Sequence, residues 1–334
     1  MSGSNATPRF ADRRKIAIPG GESFRTPILV PSFSSKGFPE IGRIVDLTEP
    51  FIESEILISA YDIHYKHLTN ELNFPSLIFV DSGGFEAAVD QDLTHVFDAL
   101  DAEYKPKKWT IEFYNSVIES WQAVPPAVFV SYDHPDERLT LDDQIARALS
   151  LGGAKRVLAR ELLLKPAKAT RQYLSIDEVC AKARDFEPFV AIGVTEKEIG
   201  DSLLSRMVNI GRIRHALKSV GSDQPIHVFG SLDTITTLLY FVMGADVFDG
   251  LTWLRYAYYD GATIYRQSLA ALKYPPGTNY KRIKENCWHD NYLYLQSLQI
   301  QMRTFLNDGD FARFGENGKK VQELYDAALE QVRV

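Results

Sequence analysis

Cysteine is nearly missing from this chain of 334 residues, which carries only Cys180 and Cys287. Two thiols so far apart exclude a disulfide framework and fit a reducing, cytoplasmic setting. Long apolar runs are lacking as well. None approaches the roughly 20 residues that span a bilayer, so no membrane partner is expected. The opening stretch "MSGSNATPRFADRRK" is polar and basic without an apolar core, which argues against a secretory signal; a flexible tail is expected over residues 1–24. Positive charge is in deficit, with 37 Lys and Arg against 44 Asp and Glu, a formal charge of −7. That balance excludes a broadly basic surface. The local clusters "EYKPKKW" (Glu103 to Trp109) and "KPAKATR" (Lys165 to Arg171) can still meet phosphates, although each alone reads first as a solvated face. There is no internal repeat, no low-complexity tract and no GxGxxG turn to recommend a dinucleotide-binding sheet.

What the chain does have is a series of short apolar, β-branched runs, each ending in polar or glycine residues. They fall at 27–33, 56–62, 76–82, 127–133, 157–164, 188–194, 226–231 and 246–251. Most are continuously apolar rather than alternating, as strands buried on both faces should be. Helix-like segments lie between most of them. Ser175 with Glu178 has the spacing of a capping box, "TEKEIGDSLLSRMVNIGRIRHALKSVG" closes at Gly221, "SLDTITTLLYFVMG" closes at Gly244, and a last outer helix is expected over Asn291 to Asn307. Eight strands alternating with helices predict an α/β fold, a (β/α)8 TIM barrel over residues 25–334, with an insertion at about 86–126 after the third strand.

In such barrels the active-site groups sit at the C-terminal ends of strands. Asp62, Asp81, Asp133 and Asp249 fall at or near four of these ends. A single aspartate there reads as a turn cap. Several converging on one mouth raise one another's pKa and cost stability, so they point to a functional site.

The stretch "VDSGGFE" (Val80 to Glu86) resembles the D-S-G-G-F-Q motif of the tRNA-guanine transglycosylases, and "ADVFDGLTWLR" (Ala245 to Arg255) resembles that family's D-M-F-D-C-V-L-P-T-R segment. Weaker likenesses follow in order: "TPILVPSFSSKG" to the first strand, "ILISAYDIHYK" to the strand ending N-T-Y-H-L, "PFVAIGV" to Y-A-I-G-G-L, and "VFGSLDTITTLLYFVMGADVFD" to the M-G-V-G-x-P-D segment. Together they run from about residue 25 to 305. The family exchanges guanine in a nucleic acid for a 7-deazaguanine without cutting the strand. The resemblance implies a catalytic pair, Asp249 as nucleophile at C1′ and Asp81 as general acid/base. It implies a base pocket in which Asp133 reads the guanine edge and Phe85 and Phe229 stack on the ring. Ser82, Gly83, Gly193 and Gly230 then supply hydrogen bonds or close backbone approach, and Arg255 completes the substrate-binding set.

This sequence departs from the family pattern in three places. The zinc signature Cys-x-Cys-x-x-Cys followed by His is absent, and Cys287 with His289 cannot close a four-coordinate site. No metal, no other cofactor and a reduced C-terminal region without the zinc subdomain are therefore expected. The V-Q-G-G strand end becomes "ELLLKPAK", which removes the base-reading glutamine. The second glycine of G-G-L becomes Val194, narrowing the site near the ring's 7-substituent. The lost zinc subdomain and the divergent "DHPDE" loop favour the superfamily's DNA-modifying branch, with DNA ahead of tRNA as partner. Base exchange in a duplex then requires a flipped or single-stranded guanine. The sequence leaves open a tRNA substrate, a homodimer or an accessory protein, a non-catalytic nucleic-acid-binding subunit, and a Schiff-base aldolase using Lys165.

Overall fold

The computed structural model describes residues 10–88, 105–153, 157–168 and 170–332. All eight expected runs form strands. After a short antiparallel hairpin, β1 (Lys15–Ala17) and β2 (Ser23–Arg25), come β3 (Ile28–Phe33), β4 (Ile56–Ser59), β5 (Ile78–Asp81) and β6 (Ala127–Val130). They are followed by β7 (Ala159–Leu164), β8 (Ala191–Thr195), β9 (Ile226–Phe229) and β10 (Val247–Gly250). β3 to β10 pair in chain order, every neighbour parallel, and β10 closes on β3 through Asp249 opposite Val30. The result is a closed (β/α)8 barrel. A second antiparallel hairpin, β11 (Ala257–Tyr259) and β12 (Ala262–Ile264), follows β10.

Side chains two apart on a strand share a face, and here one parity fills the barrel. Ile28, Val30, Leu57, Phe79, Val128, Val130, Ala159, Leu163, Phe229 and Val247 pack together inside it. The other parity, including Leu29, Ile58, Val80, Leu162, Ile192, Val228 and Phe248, packs outward with the helices. Extending the inward parity carries Asp81, Glu161, Gly193, His227 and Asp249 to the interior or its C-terminal rim.

Residues 10–24, expected as part of a loose tail, are built into the fold instead. Ile16 joins the barrel-interior cluster beside the strand starts, and Phe10 is buried. Arg14 Nη1 donates to Asp246 Oδ1 at 2.8 Å, while Arg214 Nη2 donates to the other oxygen of the same carboxylate. Asp246 also accepts from the Ile226 N–H at 2.9 Å. One buried residue in a three-residue strand leaves no periodic signal in the sequence.

Helices follow the expected order with different boundaries. Ser175 caps the helix Ile176–Ala181 by position alone, without a side-chain hydrogen bond. The capping box belongs instead to Ser202 and Ser205, starting the helix Leu203–Ser219 after a short 3-10 turn, Glu196–Glu198. The helix expected last starts earlier, running Tyr280–Asp308 from Asn279 to a left-handed Gly309 at φ 69°. It is not the last: Gly318–Val332 follows and packs against Leu203–Ser219. The expected insertion falls partly on residues 89–104, outside the described residues. Its far end forms the helix Ile111–Glu119, capped by the Thr110 hydroxyl. Among the described residues no helix is long and apolar enough to cross a membrane.

Candidate active site

The loop after β5 is held from three sides. Gly83 adopts φ +88°, a conformation that suits glycine, and a Cβ there would lie 2.8 Å from the Trp109 indole and 2.9 Å from Tyr61 Cβ. Trp109 Nε1 donates to the Ser82 carbonyl at 2.8 Å, so the segment after the insertion clamps this turn. A Cβ on Gly84 would stand 2.5 Å from the Asp133 carboxylate. The second glycine therefore lets Asp133 reach across from the end of β6, where it accepts the Ser82 hydroxyl hydrogen. Gly83 is required by packing, whereas Gly84 makes room for the Asp133 carboxylate.

Asp81, the last residue of β5, keeps some surface at the mouth but is crowded by protein. Burial pushes its pKa well above the ordinary carboxylate range, and Asp133, Glu86 and Asp249 push it further in the same direction. The Gly83 N–H, 3.3 Å from Oδ2, opposes them only weakly. Beside it, Glu86 is buried and accepts from the Ser34 and Ser59 hydroxyls, the latter at 2.6 Å. Burial and the nearby Asp62 raise Glu86 to about 7 despite those two donors.

Asp249 on β10 sits among donors instead. Oδ2 accepts from Ser32 Oγ at 2.7 Å and Oδ1 from the Gly230 N–H at 3.1 Å. Gly230 makes that turn at φ +78°. His227 Nε2 stands 3.3 Å from the same Oδ1, an ion-pair distance without hydrogen-bond alignment. On the ring's other side Nδ1 is 2.8 Å from Glu161 Oε1. Burial alone would lower the His227 pKa, but Glu161 and Asp249 outweigh it and hold it at about 9.

The two expected stacking rings differ. Phe85 is 41% exposed, with Lys36 Nζ 4.5 Å from its centroid. Phe229 is 8% exposed and stacks on His227 at 3.9 Å with an interplanar angle of 26°. A Cβ on Gly193 would lie 2.5 Å from the Phe229 ring, so that glycine admits the aromatic as part of the site's floor. Arg255 ends the short helix Thr252–Arg255, 5.9 Å from the Phe38 ring, and its buried Nη2 has no hydrogen-bond partner among the described residues.

Two other expectations, Asp62 and Lys165, are held by neighbouring polar groups. Asp62 lies in the helix Ala60–His64, buried, where it accepts the Ser35 N–H at 2.8 Å and contacts His67 Nδ1 at 3.1 Å. It braces loops rather than facing the mouth. Lys165 Nζ is 2.8 Å from Glu198 and 3.5 Å from Asp133. Burial would lower its pKa, yet those carboxylates raise it, the opposite of what a Schiff-base amine requires.

Glu161 and His227 escaped the sequence reading. The available signal was polarity at inward parity, since "ARELLL" and "IHVF" each place one ionisable group two residues from an interior apolar one. Among the described residues no group of three or more His, Cys, Asp or Glu is set to hold a metal ion. Cys287 is buried, its thiol turned to the Tyr256 carbonyl at 3.4 Å. The chain matches no family model and no curated protein.

Proposed function

We propose that this protein replaces guanine in a nucleic acid, DNA ahead of tRNA, with a 7-deazaguanine such as 7-cyano-7-deazaguanine. The observation that carries this reading is the contrast between two aspartates on one barrel rim. Asp249 is surrounded by donors, while burial and then three other carboxylates favour the protonated form of Asp81. Base exchange needs that division of labour. An anionic Asp249 stabilises the oxocarbenium character at C1′ and then bonds to it. Protonated Asp81 supplies hydrogen to the departing purine and takes a proton from the incoming one.

The surrounding groups suit a purine and its backbone. Phe85 offers an open ring face, Asp133 offers carboxylate oxygens to ring N–H groups, and Arg255, whose Nη2 lacks a partner among the described residues, suits a phosphate. Incubating purified protein with labelled guanine and, side by side, duplex DNA, single-stranded DNA and tRNA tests the reading. Label should enter DNA. Label in tRNA alone would move the substrate to tRNA, and label in none of them would overturn base exchange.

A further inference from the structure

The barrel interior contains a charged chain that the proposed chemistry does not by itself require. Glu161 on β7 and His227 on β9 are both fully buried, and Asp249 on β10 is 5% exposed. The imidazole lies between the carboxylates, Nδ1 2.8 Å from Glu161 Oε1 and Nε2 3.3 Å from Asp249 Oδ1. Phe229 covers one ring face at 3.9 Å, and Phe79 meets the ring at 5.3 Å and 64°. A neutral imidazole has one N–H and one lone pair. Placed here it would turn that lone pair towards a carboxylate on one side or the other. Only the doubly protonated ring donates from Nδ1 to Glu161 and also sets a positive charge, as an unaligned ion pair, 3.3 Å from Asp249. Burying such a trio costs solvation that apolar residues would avoid, and neighbouring interior positions are filled by Val30, Phe79 and Val130. An ionised trio that ends on the proposed nucleophile is therefore a functional feature.

We infer that His227, held as an imidazolium by Glu161, is a positioning residue that fixes and electrostatically steadies Asp249 for attack on the anomeric carbon. This rests on the base-exchange reading and adds a second layer to it. Oδ1 of Asp249 is engaged by His227 and the Gly230 N–H, leaving Oδ2, which among the described residues accepts only the Ser32 hydroxyl, as the attacking oxygen. As Oδ2 bonds to C1′, the bond from C1′ to the base breaks. Its electron pair leaves with the base, which takes a proton from Asp81. In the second half the incoming base attacks C1′ and yields its proton to Asp81. Asp249 departs as a carboxylate, and the adjacent imidazolium stabilises that departure. His227 transfers no proton in either half. The charged groups facing it are Glu161 from β7 and Asp249 from β10; Gly193, its register partner on β8, and Phe79 on β5 bring none.

The test has two arms. In the first, carbon-edited NMR of histidine-labelled full-length protein, assigned with His227→Gln, follows the His227 ring with pH. The ring should be doubly protonated at pH 7.5, titrate near 9, and shift down by at least one pH unit in both Glu161→Gln and Asp249→Asn. A neutral ring at pH 7.5, or a midpoint unmoved by Asp249→Asn, overturns the inference. In the second arm, Glu161→Gln should slow covalent-intermediate formation at least tenfold while base affinity changes less than threefold. Equal losses in both would mean a merely structural role and would also overturn it. The two readings fail separately. A charged His227 in a protein that exchanges no base keeps the ionised trio and removes base exchange. Exchange with a neutral His227 does the reverse.

Discussion

Asp81 can be a turn cap or an acid, and the two roles respond differently to one substitution. Asn caps about as well as Asp, so Asp81→Asn would be nearly silent in the first case. As an acid/base it should lose turnover by at least the ~10²-fold typical of general acid–base catalysis, measured as steady-state exchange with both substrates saturating. Phe85→Ala should act on affinity instead, weakening base binding by roughly 1–3 kcal/mol through lost stacking, readable by titration calorimetry. Glu86 gives a stability prediction of definite sign. Its folded pKa of about 7 lies above the 4.5 of an ordinary glutamate, so the folded state holds this proton more tightly than the unfolded chain. That stabilisation is full below pH 4.5 and disappears as pH rises through 7, a loss of about 3 kcal/mol. Glu86→Gln cannot titrate. Its unfolding free energy should therefore rise relative to wild type between pH 4.5 and 8 by about that amount in denaturant titrations. A difference that stays flat with pH would show that Glu86 is not protonated as described.

At the scale of the element, the turn after β5 is where packing and chemistry meet. Gly83→Ala forces a side chain into a left-handed conformation, costing about 1–2 kcal/mol, and drives it against Trp109 and Tyr61, adding typically 1–3 kcal/mol. Gly84→Ala meets first the Asp133 carboxyl group, a side chain that can swing aside. It should leave the thermal midpoint nearly unchanged while weakening base binding at least tenfold, and equal effects of the two alanines would contradict this division. The strands were legible because burial on both faces leaves a continuous apolar signature, and their polar ends marked the rim. Helix boundaries were less so. The Ser175–Glu178 spacing imitates a capping box, while the real one uses Ser205, a residue type that carries no such signal. Glu161 and His227 were hidden for a related reason. An ionisable residue inside a mostly apolar strand looks like noise until barrel closure shows that Glu161 and His227 both point inward and touch.

Across the whole molecule the barrel separates its two ends. The N-terminal end is closed by the β1–β2 hairpin, tied down through Arg14, Asp246 and Arg214, all buried. Asp246→Ala removes the carboxylate shared by two buried guanidinium groups and should cost about 3–5 kcal/mol of unfolding free energy, as breaking a buried ion pair does. Because the site lies at the other end, the variant should keep its exchange rate below its melting temperature. The C-terminal end gathers Asp81, Asp133 and Asp249, and the sequence order of strands placed all three there, together with Asp62, which braces loops instead. It could not separate their environments, which depend on residues far along the chain, such as Ser32, Gly230 and His227 around Asp249. The most direct test of that contrast is to look for the nucleoside bound to Asp249. Wild-type protein, a guanine-containing DNA oligonucleotide and a 7-deazaguanine, quenched during turnover, should yield a protein–DNA adduct on a denaturing gel. Peptide mass mapping should place it on Asp249, and Asp249→Asn, folded by circular dichroism, should form none. An Asp249→Asn enzyme that forms the adduct, or exchanges base within tenfold of wild type, would contradict the assignment of Asp249 as nucleophile.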